Sequence, residues 1–149
     1  MDLSGKDLRA ADLSGADLRG ADISNARLGG KYRGRGILNM AADAVRDHGA
    51  KLSETNLSDA NLSEANLNGA YLYRATLVNS NLAYASLCGA NLFGADLSSA
   101  NLTYADLRTC DLTNAVLIGA NLSDVNLDRV NLSGTDLTGA TMPDGTIHD

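Results

Sequence analysis

Leucine recurs at every fifth residue from Leu52 to Leu137 without a gap, and that spacing excludes most folds. Steps of five rotate by about 500° on an α-helix, so the leucines would spiral round it and form no stripe. On one flat strand, residues i and i+5 point to opposite faces. Alternation does hold inside each unit. A small residue, usually alanine (Ala60, Ala65, Ala70, Ala90, Ala95, Ala100, Ala120), sits two before the leucine and shares its face. The Asn or Asp between them, and the residue after the leucine, point the other way. The fifth residue must then be a corner that resets the phase. Gly69, Gly89, Gly94, Gly119, Gly134 and Gly139 occupy it, and glycine accepts turn dihedrals at little steric cost. Each unit is therefore a short extended edge plus a turn, wound round a core of leucine and alanine. Met142 and Ile147 continue the series.

The expected core is Leu57, Leu62, Leu67, Leu72, Leu77, Leu82, Leu87, Leu92, Leu97, Leu102, Leu107, Leu112, Leu117 and Leu122. The absence of Trp and the single Phe agree with a lumen too narrow for rings. Each buried leucine contributes roughly 1.5–3 kcal/mol, against about 1–2 kcal/mol per residue of backbone ordering. Stability therefore rests on cooperation between neighbouring coils.

Ala60-Asn61-Leu62-Ser63-Glu64, Ala90-Asn91-Leu92-Phe93-Gly94 and Ala120-Asn121-Leu122-Ser123-Asp124 resemble the consensus of the pentapeptide-repeat proteins. The resemblance extends over Met1 to Gly30 and Ala50 to the C-terminus. It implies an all-β chain, a right-handed quadrilateral parallel β-helix with four units to a coil, and a bacterial, cyanobacterial type of source. Members of the quinolone-resistance type resemble duplex DNA in shape and charge and bind DNA gyrase.

The whole chain, 1–149, reads as one solenoid interrupted once. Leu3, Leu8, Leu13, Leu18, Ile23 and Leu28 form the first block. Lys6 stands where a small inward residue belongs, and it is expected exposed because a buried unpaired ammonium is costly. Between Leu28 and Leu52 the register breaks, which places an insertion at Lys31–Gly49. Lys31, Tyr32, Arg33 and Arg35 make a basic, Gly-rich loop. Residues 37–48 carry helical spacing (Ile37, Leu38, Ala41, Ala42 and Val45 on one side), with Gly49 as a C-cap. The insertion either folds back on a coil side or projects as a partner-binding element.

With four units per coil, residues 20 apart stack about 4.8 Å apart. Asn61, Asn81, Asn101 and Asn121 then form an amide ladder. Tyr84 lies under Tyr104, and Tyr73 under Phe93 beside Tyr71. Val78 and Ile118 fall on a neighbouring face. The aromatic residues Tyr71, Tyr73, Tyr84, Phe93 and Tyr104 either cover the backbone of adjacent coils or form one contact patch for a partner. Towards the end, Val125, Val130, Thr135 and Gly145 replace the inward alanine, and Pro143-Asp144-Gly145 suggests a stop. A short self-cap or an end-to-end homodimer through the C-terminal coil is expected.

Little points to catalysis. Neither His48 nor His148 has an acid or nucleophile at a readable spacing. Cys88 points out and Cys110 in, and two cysteines cannot build a tetrahedral metal site. No cofactor or metal is expected. The Asn-x-Ser/Thr strings are by-products of the repeat. With no charged leader before an apolar run and no apolar stretch long enough to span a bilayer, a cytoplasmic protein is expected. A net charge of −6 disfavours direct nucleic-acid binding. The function expected is a non-enzymatic scaffold for a protein partner of unknown identity. The alternative is an acidic duplex mimic that binds a type II topoisomerase, gyrase.

Overall fold

The computed structural model describes residues 1–9, 11–29 and 49–149. The expected helix at 37–48 and the basic residues Lys31, Tyr32, Arg33 and Arg35 lie outside them. Every unit closes with a turn in which the amide of the inward residue donates to the preceding leucine carbonyl, as from Ala60 to Leu57 (3.1 Å) and Ala95 to Leu92 (3.0 Å). The fifth residue has φ near +60° whatever its identity, from Gly69 (64°) to Glu64 (57°) and Thr109 (58°). A type II turn requires positive φ there. The straight edges pair in parallel with the next coil. Asn61 bridges Asn81, which bridges Asn101, which bridges Asn121.

These bridges define four sides, named here in chain order. Side 1 runs through Asp2, Asp22, Asn61, Asn81, Asn101, Asn121 and Thr141. Side 2 begins at Asp7, side 3 at Asp12 and side 4 at Asp17. Across the insertion Asp12 pairs with Lys51, Asp17 with Asn56, Asp22 with Asn61 and Arg27 with Asn66. The first block therefore stacks on the second in the same columns. The Ala50 amide donates to Leu28 O at 2.6 Å, so the interruption sits inside one corner, between sides 2 and 3. Both flanking glycines are sterically required. A Cβ on Gly29 would lie 2.6 Å from the Asn68 amide nitrogen, and one on Gly49 would lie 2.7 Å from Ala70 Cα.

The lumen holds the leucines. Leu57 through Leu122 are at most 1 % exposed. Where a polar residue replaces the inward alanine, it donates to a backbone carbonyl: Thr55 to Leu13 O, Ser80 to Leu77 O, Cys110 to Leu87 O and Thr135 to Leu112 O. This removes the desolvation penalty of a buried hydroxyl or thiol. Lys6 is exposed.

The C-terminal reading needs one correction. Ile147 does not continue the leucine series, and Gly145 is not an inward residue. Gly145 has φ +83° and closes a turn onto Met142 O, while Asp144 Oδ1 accepts from the Thr146 amide and hydroxyl. That turn reverses the chain. Ile147 pairs antiparallel with Thr141, His148 exchanges bonds with Gly139 and Ala140, and Ile147 is 60 % exposed. The tail thus folds back along side 1.

Candidate functional site

The outward residues fall into a code more specific than a solvated face. The Asn or Asp before each leucine turns its Oδ1 onto the amide two residues on, as Asn61 does with Ser63 N (3.2 Å) and Ser63 Oγ (2.8 Å). Asp96 with Ser98 and Asn121 with Ser123 repeat it. This is the local side-chain-to-backbone bond that Asn, Asp, Ser and Thr favour, and it explains the recurrent Asn/Asp-Leu-Ser/Thr string. The amide ladder of side 1 runs from Asn101 to Asn81 to Asn61 and ends on Asp22. Where arginine takes the second position, it forks onto the same carboxylate, in Asp7–Arg9, Asp17–Arg19 and Asp106–Arg108. Hydrogen bonds from Arg9 hold Asp7 down to about 2, and those from Arg108 lower Asp106. Bonds from the following Ser or Thr hydroxyl lower Asp2, Asp12, Asp136 and Asp144.

Against this polar background the large side chains stand out. Tyr73 and Phe93 stack at 5.6 Å and 15°, and Arg74 lies over the Tyr73 ring at 5.5 Å. They occupy the corner between sides 3 and 4, with Tyr71 on the flat of side 3. Tyr84 and Tyr104 stack at 5.0 Å and 11° at the corner between sides 1 and 2. The two stacks therefore lie on diagonally opposite corners, and the single aromatic patch expected from the sequence is two. Tyr73 follows the Tyr71 edge of side 3 and Tyr84 the Asn81 edge of side 1, two units apart, and two units are half a coil, which carries the stacks to opposite corners.

Tyr84 and Tyr104 are 59 % and 53 % exposed, whereas Tyr73 and Phe93 are half-buried. A hydrogen bond to Asp124, and then the negative charge of that carboxylate, raise the Tyr104 hydroxyl above its ordinary range. Val78 and Ile118 occupy the corner between sides 4 and 1. Val116, which the sequence reading did not single out, stands on side 4 where Asn or Asp is usual. Its signal was that departure from the column.

Both cysteines are free thiols. Cys88 occupies an outward position yet is only 8 % exposed, with its sulfur 3.8 Å from Thr109 Oγ1. Burial pushes the Cys110 thiol up to about 12, so it stays protonated in the lumen. Among the described residues no group of three or more His, Cys, Asp or Glu is placed to hold a metal ion. No helix among them is long and apolar enough to cross a membrane.

Comparison with known proteins agrees with this geometry. The family profile "Pentapeptide repeats" matches in eight copies over residues 1–30, 48–77, 75–114 and 105–142. A pentapeptide repeat protein, Rfr23, from the cyanobacterium Cyanothece 51142 superposes with a TM-score of 0.74 at 31 % identity, over 93 % of this chain and 91 % of that one. The pentapeptide repeat protein alr5209 from Nostoc is 41 % identical over 54 % of this chain and 66 % of that one, with a TM-score of 0.53. The fluoroquinolone resistance protein QnrB1 is 20 % identical over 95 % of this chain and 71 % of that one, with a TM-score of 0.48. No curated protein sequence matches the chain. The fold is a right-handed quadrilateral β-helix.

Proposed function

This chain belongs to the pentapeptide-repeat family, and we propose that it works as a non-enzymatic scaffold that binds a protein partner. The observation that carries this reading is the pair of half-exposed tyrosines at 59 % and 53 %, held on a rigid ladder of backbone hydrogen bonds. Tyrosine supplies a large, amphipathic contact area at low entropic cost, and it is enriched among the residues that dominate interfaces. The duplex-mimic reading asks for a continuous acidic stripe. The acids nearest to one, on side 1 and its corner with side 2, are interrupted by Asn61, Asn81, Asn101, Tyr84 and Tyr104.

The experiment is affinity capture from a lysate of the source cells with three baits. These are the intact protein, Tyr84→Asn/Tyr104→Asn, and a deletion of Lys31–Gly49. The expected result is a protein retained by the intact bait and lost on the tyrosine variant. Loss only on the deletion would move the binding surface to the insertion. Retention of nothing beyond what an unrelated bait holds would contradict the scaffold reading.

A further inference from the structure

Charge is distributed unevenly round the solenoid. The units of side 1, including the corner that leads to side 2, carry Asp2, Asp22, Glu64, Asp124 and Asp144 and no Lys or Arg. The units of side 2, next along the chain, carry Lys6, Arg9, Arg27, Arg108 and Arg129 against Asp7, Asp106 and Asp128. The exposed tyrosine pair sits on the side without cations. At that corner the column reads Glu64, Tyr84, Tyr104, Asp124, one residue per coil. Among the described residues neither Glu64 nor Asp124 makes an ion pair, in contrast to Asp7, Asp17 and Asp106, which arginines neutralise.

The stack has two ends. Tyr104 is followed in the column by Asp124, one coil on. Tyr84 turns its outer face towards the coil of Glu64. The ring-to-ring spacing of 5.0 Å matches one coil step, so a planar group at the level of Glu64 would extend the stack by one member. Both rings are exposed, Tyr84 at 59 % and Tyr104 at 53 %. A planar cation satisfies both features, stacking on the ring face and pairing with the carboxylate. Guanidinium is the side-chain group with that shape and charge.

We propose that this corner docks an arginine side chain of the protein partner, its guanidinium stacked on the face of Tyr84 away from Tyr104 and paired with Glu64. The inference rests on the scaffold reading and gives the partner its chemistry: a segment that presents arginine to an acidic edge. Asp124 and Asp144 supply further negative charge along the same edge for a second basic residue. The attraction is screened by salt, because both partners are exposed.

The test uses the full chain with ring-13C-labelled tyrosine. It is titrated with the blocked peptide acetyl-Arg-Gly-Arg-Gly-Arg-amide and, separately, with its citrulline counterpart, which keeps the planar shape and loses the charge. Ring signals are assigned from single Tyr→Asn variants. Asn is suited to the corner because Asn79 and Asn114 hold the same position with φ of 57° and 56°. The arginine peptide is expected to shift Tyr84 and Tyr104 saturably, more than Tyr71 and Tyr73, and the citrulline peptide to shift none. Glu64→Gln and Tyr84→Asn are each expected to weaken binding by roughly three- to tenfold. Equal shifts at all tyrosines, shifts that survive the loss of charge, or binding unchanged in Glu64→Gln would overturn the proposal. A partner captured through this corner without any response to the arginine peptide would also overturn it, while leaving the scaffold reading in place.

Discussion

The amide of Ala50 donates to the carbonyl of Leu28 at 2.6 Å, closing across residues 29–49 the same turn that every other corner closes across two residues. The coil therefore does not yield to the insertion. Asp12 and Lys51 pair on either side of it, by backbone bridge and by an ion pair of 3.2 Å.

Deleting Lys31–Gly49 would join Gly30 to Ala50 and restore a two-residue turn with glycine at the corner. Loop-closure entropy falls slowly with length, so the shortened chain is expected to gain up to about 2 kcal/mol. Thermal unfolding followed by circular dichroism checks this. A loss of several degrees in Tm would mean that the insertion contributes more by packing than its closure costs.

Among the described residues Thr109 is the one β-branched residue at a non-glycine corner, with φ 58°, where a branched side chain is strained. Thr109→Gly relieves that strain at the loss of the side-chain contacts of Thr109, the 3.8 Å one with Cys88 among them. A gain of about 1 kcal/mol is expected in denaturant unfolding. Glycine at Gly69 and Gly89 in the same column already holds this conformation.

Leu92 is fully buried at mid-solenoid, while Leu137, in the last coil, is half-buried. Leu92→Ala is expected to cost about 3–5 kcal/mol and Leu137→Ala about 1 kcal/mol. Equal costs would mean that the last coil is as well packed as the middle.

Seven carboxyls, Asp2, Asp7, Asp12, Asp17, Asp106, Asp136 and Asp144, are held below their ordinary 3.8 in the folded chain. A depressed carboxyl contributes stability that is fully present above its unfolded value and is lost as pH falls through the folded one. Tm is therefore expected to be level from about pH 6 to 5 and to fall between about pH 4 and 2, the lower limit set by Asp7 at about 2. Asp7→Asn should flatten the lowest part of that fall.

Much of this architecture was legible because a five-residue period admits one arrangement of inward leucine, inward alanine and corner. The columns followed once the coil length was known, and Tyr84 over Tyr104 is a consequence of it. Three features were not legible. The tail reversal depends on the local bonds of Asp144 and Gly145, which compete with a further unit of weak consensus. The unequal exposure of the two aromatic stacks, with Tyr84 and Tyr104 more open than Tyr73 and Phe93, goes with a one-residue difference of position within the unit. The role of Asn and Asp as caps on the second residue after them was hidden, because a solvent-facing position explains the same composition.

The continuity of the four columns from the first block into the second rests on the two stacking in register. The most direct test places nitroxide labels at Ser24 and Ser63, the residues that follow Ile23 and Leu62 on adjacent coils of side 1. The background is Cys88→Ser/Cys110→Ala, in which alanine is the usual inward residue. Labels on neighbouring coils lie within the range of dipolar broadening, since coils are about 4.8 Å apart. Strong broadening, absent from either single label, is the predicted result. Spectra that equal the sum of the two single-label spectra would mean that the first block does not stack on the second in this register, and would contradict the account.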